Sequence, residues 1–165
     1  MRLFVAVWPS EEVLDTVAAL PRPEVKNLRW TTHDQWHITL RFLGAVDDPD
    51  EAVSALGRLR AARCEAVLGS EVRRLGSRVL MVPVAGLDEI AAEVIAATAE
   101  VGEPPEDRPF KGHLTLARAR GRVDFRPLAG HPITGRWPVD EVTLVESRLH
   151  PKGARYETIA RVPLQ

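Results

Sequence analysis

The sequence predicts an α+β fold of largely antiparallel strands in which one structural unit occurs twice. Three observations lead there. Helical and strand patterns alternate irregularly, with several strands adjacent in sequence, rather than in the regular order that builds a parallel sheet. The string His37-Ile38-Thr39-Leu40 returns as His113-Leu114-Thr115-Leu116, and in this composition even one His-apolar-Thr-Leu string is expected only roughly 0.01 times, so the recurrence marks an internal repeat. The shift between the two histidines, 113 − 37 = 76 residues, also lays the apolar run from Arg2 on that from Arg78, and the helical pattern near Glu11 on one near Leu87. The repeated unit is therefore strand, helix, and a strand bearing His-x-Thr.

Each element has its own signal. Leu3 to Trp8 reads as a buried first strand; followed at once by Pro9-Ser10, it is too short for a signal-peptide core or a membrane span. Ser10 suits a helix N-cap, with Glu11 and Glu12 in the first turn, where the helix dipole favours acids. Val13, Leu14, Val17 and Leu20 then form one apolar stripe, which Pro21 and Pro23 end. Past a Pro-rich connection over 21–27, residues 28–31 suit a short strand and 36–43 the first motif strand. Asp48 can cap a second helix that opens on Pro49 and buries Ala52, Val53, Leu56 and Leu59.

Residues 64–75 and 78–85 read as two strands around a turn at Gly76-Ser77, and Pro83 places the second near an edge or a bulge. Leu87, Ile90, Ala91, Val94, Ile95 and Val101 recur at helical spacing until Gly102 stops the run. Residues 103–109, with three prolines and four charges, form a loop feeding the second motif strand, and 121–138 lack a clear pattern. Two final strands, 140–150 and 155–164, are joined by the turn Pro151-Lys152-Gly153-Ala154.

Length and composition set limits. The 165 residues, 45% apolar and 27% charged, suit one globular domain over 1–165 made of two lobes. A net charge of −1 argues against sequence-blind nucleic-acid binding by the whole surface and leaves room for a local basic patch. Cys64 is the only cysteine, so no internal disulfide forms and a reducing, cytoplasmic location is expected. No membrane partner is expected, and a monomer is the default because no long apolar stripe is left over once the helices are placed.

The repeated strings define candidate chemistry. Along a strand, His37 and Thr39 share one face while Ile38, Leu40 and Phe42 share the other, and His113 and Thr115 repeat this over Leu114 and Leu116. Histidine gives or takes a proton near neutral pH, so two of them around one phosphorus atom divide the work of base and acid. The threonine hydroxyls can hold the non-bridging oxygens where charge grows. Such a site needs no metal or other cofactor, and neither a His-Glu-x-x-His string nor a cysteine cluster is present to supply zinc ligands.

Six basic residues, Arg108, Lys111, Arg118, Arg120, Arg122 and Arg126, lie in a stretch whose one acid is Asp124, which suits an anionic ligand. Lys111 and Arg118 are the candidate substrate-binding pair, although strand parity turns Arg118 away from His113 unless a bulge intervenes. His33, His131 and His150 lack comparable context and are read as surface residues. Trp30, Trp36 and Trp137 read as packing anchors, with Trp36 placed to line a cleft beside His37. A Gly-rich phosphate loop and a Gly-x-Ser-x-Gly elbow are both missing.

The opening Arg2-Leu3-Phe4-Val5-Ala6-Val7, the strings His37 to Gly44 and Phe110 to Arg118, and the ending Glu146-Ser147-Arg148-Leu149 with Gly153-Ala154-Arg155-Tyr156 resemble the 2H phosphoesterases. Within them the chain is most similar to the RNA 2′,3′-cyclic phosphodiesterases, also called 2′-5′ RNA ligases. The resemblance implies a bilobal fold of two antiparallel sheets with outer helices and a central cleft holding both motifs. It implies metal-independent hydrolysis of an RNA terminal 2′,3′-cyclic phosphate to a 2′-phosphate. His37 would be the proton donor and His113 the acceptor, with Thr39 and Thr115 on the phosphate. Many members carry proline before the second histidine where this chain has Gly112, which alters the entry into that strand. The expected partner is an RNA 3′ end with a cyclic phosphate, or a small cyclic nucleotide. Alternatives are a 2′-5′ RNA ligase, a phosphodiesterase for 2′-5′ oligonucleotides or other cyclic nucleotides, an RNA-end binding module, and a structural protein with core histidines.

Overall fold

The two His-x-Thr strands lie side by side at the centre of one curled sheet. In the computed structural model, which describes all residues Met1–Gln165, the elements are β1 (Arg2–Val7), α1 (Glu11–Ala18), β2 (Leu28–Trp30), β3 (Ile38–Ala45), α2 (Pro49–Gly57), β4 (Cys64–Glu71), β5 (Arg73–Leu75), β6 (Val79–Ala85), α3 (Asp88–Ala97), β7 (His113–Ala119), β8 (Pro132–Val139), β9 (Glu141–Arg148) and β10 (Arg155–Pro163). The order across the sheet is β10-β9-β1-β3-β7-β6-β4-β8, with β2 also on β7 and β5 on β6. All pairings are antiparallel.

Two halves are therefore present, and their motif strands β3 and β7 pair through a single bridge between Ile38 and Leu114. These residues are equivalent under the 76-residue shift and both are fully buried, so the pseudo-twofold relation runs between the two motif strands. The repeats are β1-α1-β3 and β6-α3-β7. Each helix crosses over: α1 packs on β8 and α3 on β3. A continuous cluster of 38 buried hydrophobic residues joins the halves.

Local signals explain most elements. The Ser10 side chain accepts from the Val13 N–H and Asp48 from the Asp50 N–H, satisfying first-turn donors that the helix itself leaves free. The buried faces are Val13, Leu14 and Val17 in α1, Ala52, Ala55 and Leu56 in α2, and Ile90, Ala91 and Val94 in α3. Val53, expected to be buried, points to solvent. The strand expected over 64–75 divides into β4 and β5. Pro83 falls where the outer pairing partner of β6 changes from β5 to β4, a position that asks for no ladder hydrogen bond on that side. β8, which lies in a stretch without a clear sequence pattern, alternates buried Ile133, Trp137 and Val139 with outward residues, and its position at the sheet's edge tolerates Pro132 and Pro138. No helix is long and apolar enough to cross a membrane.

α3 ends at Ala97 rather than running to Val101, and Arg41 accounts for the difference. This side chain is 5% exposed; its guanidinium donates to the carbonyls of Phe42, Thr98, Val101 and Glu103, the last at 2.7 Å. A cation here meets the orphan carbonyls at the negative end of the helix. The Glu103 N–H donates to the Leu43 carbonyl at 2.8 Å, so residues 98–103 are tied to β3. Arg41→Met would leave these carbonyls unpartnered in the interior. The expected cost is about 2–4 kcal/mol, a fall in melting temperature of roughly 5–15 °C. Thermal unfolding of the variant checks this, and a fall below about 2 °C would contradict the role.

Candidate active site

Both motifs open into one cleft of about 790 Å³, lined among others by His37, Thr39, His113, Thr115, Lys111, Arg118 and Tyr156. The two imidazoles are held alike. His37 Nδ1 lies 2.7 Å from the Gln35 carbonyl and His113 Nδ1 lies 2.7 Å from the Lys111 carbonyl, in each case two residues upstream. A carbonyl only accepts, so Nδ1 carries the proton and Nε2 is the free nitrogen of each neutral ring. His37 Nε2 accepts from the Thr39 hydroxyl at 2.9 Å. The repeat of sequence is thus a repeat of the Nδ1 hydrogen bond, while the threonine bond to Nε2 is formed at His37.

A bulge repeated in both halves sets what else faces the cleft. Along β3 the register against β1 skips Leu40, and along β7 the register against β6 skips Leu116; these residues too are 76 apart. An extra residue reverses the alternation of faces beyond it. Phe42, expected on the core face with Ile38 and Leu40, is instead 45% exposed and lines the cleft. Arg118, expected on the face opposite His113, lines it as well. Phe42 and Arg118 are equivalent positions, so the cleft has an aromatic residue on one side and a guanidinium on the other. Thr31 fixes the second bulge: its hydroxyl donates toward the carbonyls of Thr115 and Leu116, at 2.8 and 2.9 Å. Trp36 Nε1 in turn donates to the Thr31 hydroxyl at 3.0 Å. Trp36 is 1% exposed, so it braces the site from beneath instead of lining it.

Sequence reasoning missed the walls around His37. Its ring lies 4.9 Å from that of Phe4, 5.4 Å from Trp8 and 5.1 Å from Tyr156, and Phe42 stacks on Phe4 at 5.8 Å. Trp8 is oriented by its Nε1–H bond to the Thr143 hydroxyl, 2.8 Å. Alternation along β1, with Leu3, Val5 and Val7 on one face and Phe4 and Ala6 on the other, is the one local signal for this group; Tyr156 has none. Arg29, opposite Arg118 in the β2–β7 ladder, was also missed. Gly112 sits where a Cβ would collide with the Val84 carbonyl, so the strand entry before His113 needs glycine in this chain. Arg108 is paired with Glu106 at 2.7 Å and Arg126 with Asp124 at 2.9 Å; Lys111 and Arg118 have no acidic partner. His33 and His131 are exposed, and neither they nor His150 line the cleft.

Burial among the aromatic rings, with smaller contributions from the charges of Arg118 and His113, pushes His37 down from 6.5 to about 4. Burial raises the Tyr156 hydroxyl, with Arg118 opposing. Because the folded state refuses a proton on His37 that the unfolded chain accepts, stability falls as pH drops from 6.5 toward about 4. The full effect is about 3 kcal/mol at most, given 1.36 kcal/mol per unit. His37→Phe should flatten this part of the profile, read as urea midpoints at pH 7 and 4.5; equal slopes for variant and parent would contradict it.

Paired imidazoles and hydroxyls in a cationic cleft, on two repeats of a curled antiparallel sheet, define a phosphoesterase architecture. The chain belongs to the 2′-5′ RNA ligase superfamily, whose family model matches residues 9–151. It is 34% identical over 188 aligned positions to an RNA 2′,3′-cyclic phosphodiesterase of Thermus thermophilus, with 100% of this chain and 91% of that protein covered. It is 32% identical to one of Geobacillus stearothermophilus, of whose length it spans 56%, with 98% of this chain covered. Among solved structures, TT0787 of Thermus thermophilus matches with a TM-score of 0.82 at 30% identity, covering 99% of this chain and 97% of that one. Escherichia coli LigT complexed with 3′-AMP matches at 0.80 and 28%, with the same coverage.

Proposed function

We propose that this chain hydrolyses the 2′,3′-cyclic phosphate at an RNA 3′ end to a 2′-phosphate, its two histidines carrying both proton transfers without a metal. The observation that supports this most is the matched pair of imidazoles, each with Nδ1 held by a carbonyl two residues upstream so that Nε2 is the nitrogen that exchanges the proton, bonded at His37 to the Thr39 hydroxyl. A water oxygen bonds to phosphorus while His113 Nε2 takes its proton; the bond from phosphorus to the 3′ oxygen breaks and His37 Nε2 returns a proton to that oxygen. Thr39, Thr115 and Arg118 hold the non-bridging oxygens as charge grows. Lys111 adds a second cation beside His113. Phe42 offers a face on which the terminal base can stack.

His37 is neutral in the empty cleft at pH 7, because desolvation holds it at about 4. As the acid it must gain a proton when the anionic phosphate arrives, since an adjacent negative charge favours the cation. Once protonated against its surroundings it is a strong donor. Both lobes contribute a histidine and a threonine to one cleft, so the whole chain is read as one functional domain that is complete in a monomer, and the lone Cys64 suits a reducing cytoplasm. The same residues run in the joining direction would make a 2′-5′ RNA ligase; the likeness to relatives named RNA 2′,3′-cyclic phosphodiesterases favours hydrolysis.

The deciding experiment is incubation of a short RNA ending in a 2′,3′-cyclic phosphate with the protein in EDTA. Accumulation of a 2′-phosphate is the expected result; no product from the folded protein would overturn the assignment. Calorimetric titration of His113→Ala, which should bind without turnover, with 2′,3′-cyclic AMP at pH 7 in buffers of different ionisation enthalpy separates the roles. About one proton taken up per ligand, lost when His37→Gln is added, is expected if His37 enters the reaction as the acid, and no uptake would count against that role.

A further inference from the structure

We propose that Arg29, Arg118 and Arg120 form a track for the RNA strand leading to the reacting end, so that the preferred substrate is a polynucleotide terminus and not a free cyclic mononucleotide. This rests on the hydrolase reading above and adds the substrate class. Residues directly opposite in a sheet share a face. One row runs Leu75, Val79, Arg118, Arg29 across β5, β6, β7 and β2, and all four line the cleft. The ladder continues past β7, where the Arg120 N–H donates to the Asn27 carbonyl at 2.7 Å. Arg120 therefore follows Arg118 on the same face, about 7 Å further from the histidines.

The three arginines have no acidic partner within reach. Two like charges, Arg29 and Arg118, facing each other across adjacent strands repel, and an anion between them relieves this. Arg29 is further confined by the β9–β10 turn: a Cβ on Gly153, whose φ is +119°, would lie 3.1 Å from the Arg29 guanidinium. Other directions out of the cleft are less suited to phosphate. Toward the start of β7 lies the loop with Glu103, Glu106 and Asp107. Toward β5, Arg73 shares the row of Met81 and Thr115 but is neutralised by Glu71 at 3.5 Å. The β2 side offers unpaired cations in succession along one face, and a single-stranded RNA with its terminal phosphate at the histidines has its next phosphates to place there.

The test compares 2′,3′-cyclic AMP with an eight-nucleotide RNA ending in the same cyclic phosphate. At low salt the octamer should show a KM at least about tenfold lower, and its logarithm should vary with log salt with a slope near 2, about 0.7 for each of three phosphate contacts. Arg120→Glu should raise the octamer KM at least about fivefold, leave kcat and KM for cyclic AMP unchanged, and reduce the slope by about 0.7. Equal KM values for the two substrates, or an octamer KM indifferent to Arg120→Glu, would overturn the track. Fluorescence anisotropy of a labelled octamer on His113→Ala separates the two readings. If the unaltered protein turns over neither substrate while octamer binding to His113→Ala remains salt-dependent and sensitive to Arg120→Glu, the hydrolase assignment falls and the track stands. If turnover of cyclic AMP is intact while the octamer binds no better than the mononucleotide, the track falls and the hydrolase stands.

Discussion

His37→Ala and His113→Ala should each lower kcat on a 2′,3′-cyclic phosphate by about 10³–10⁴-fold, with product affinity changed only a few-fold. Acid and base act on the same phosphorus in one displacement, so the double variant should lose little more than either single one. Single-turnover rates with product-binding titrations give both quantities. His113 is half-buried at the start of β7 and its loss should scarcely change stability, whereas His37 packs against Phe4, Trp8 and Tyr156 and its truncation leaves a gap among them. His37→Phe fills that gap, which separates lost chemistry from lost packing. If either alanine variant retained more than about a tenth of the parent rate, that histidine would have no proton-transfer role.

Arg118→Ala should lower kcat/KM by about 10²–10³-fold, and Arg118→Lys should recover only part of it. A guanidinium fork meets two phosphate oxygens at once where an ammonium meets one, and loss of one preformed donor to a developing charge costs about this much. Removing Arg118 also removes a charge that depresses His37, so the pKa of His37 should rise in the variant, measurable by NMR titration of the ring. An unchanged kcat/KM in Arg118→Ala would mean that the guanidinium faces the cleft without touching the phosphate.

The candidate site was legible in part, and the divide follows sequence distance. His37, Thr39, His113 and Thr115 sit in two four-residue strings whose local spacing already puts each pair on one face. The helices were readable because Ser10, Asp48 and Pro49 and the apolar stripes act within a turn or two. β8 was not, since its alternation is interrupted by prolines and Gly135 that only an edge strand accommodates. The end of α3 was misjudged because the side chain that collects its last carbonyls, Arg41, comes from 57 residues earlier, its bond to Thr98 reaching across that interval.

The repeat can be read from the chain alone, and with it the four groups that face one another across the cleft. A duplicated strand-helix-strand unit must bury the same face twice, so it brings its two motif strands together. Which residues surround them emerges only on folding. The bulges at Leu40 and Leu116 exist because β1 and β6 pair with the motif strands out of step, and that register is a property of two strands at once. It turns Phe42 and Arg118 into the cleft and Arg41 into the core, while Arg29 and Tyr156 arrive on β2 and β10. No local pattern encodes these positions, because each depends on where a distant strand comes to lie.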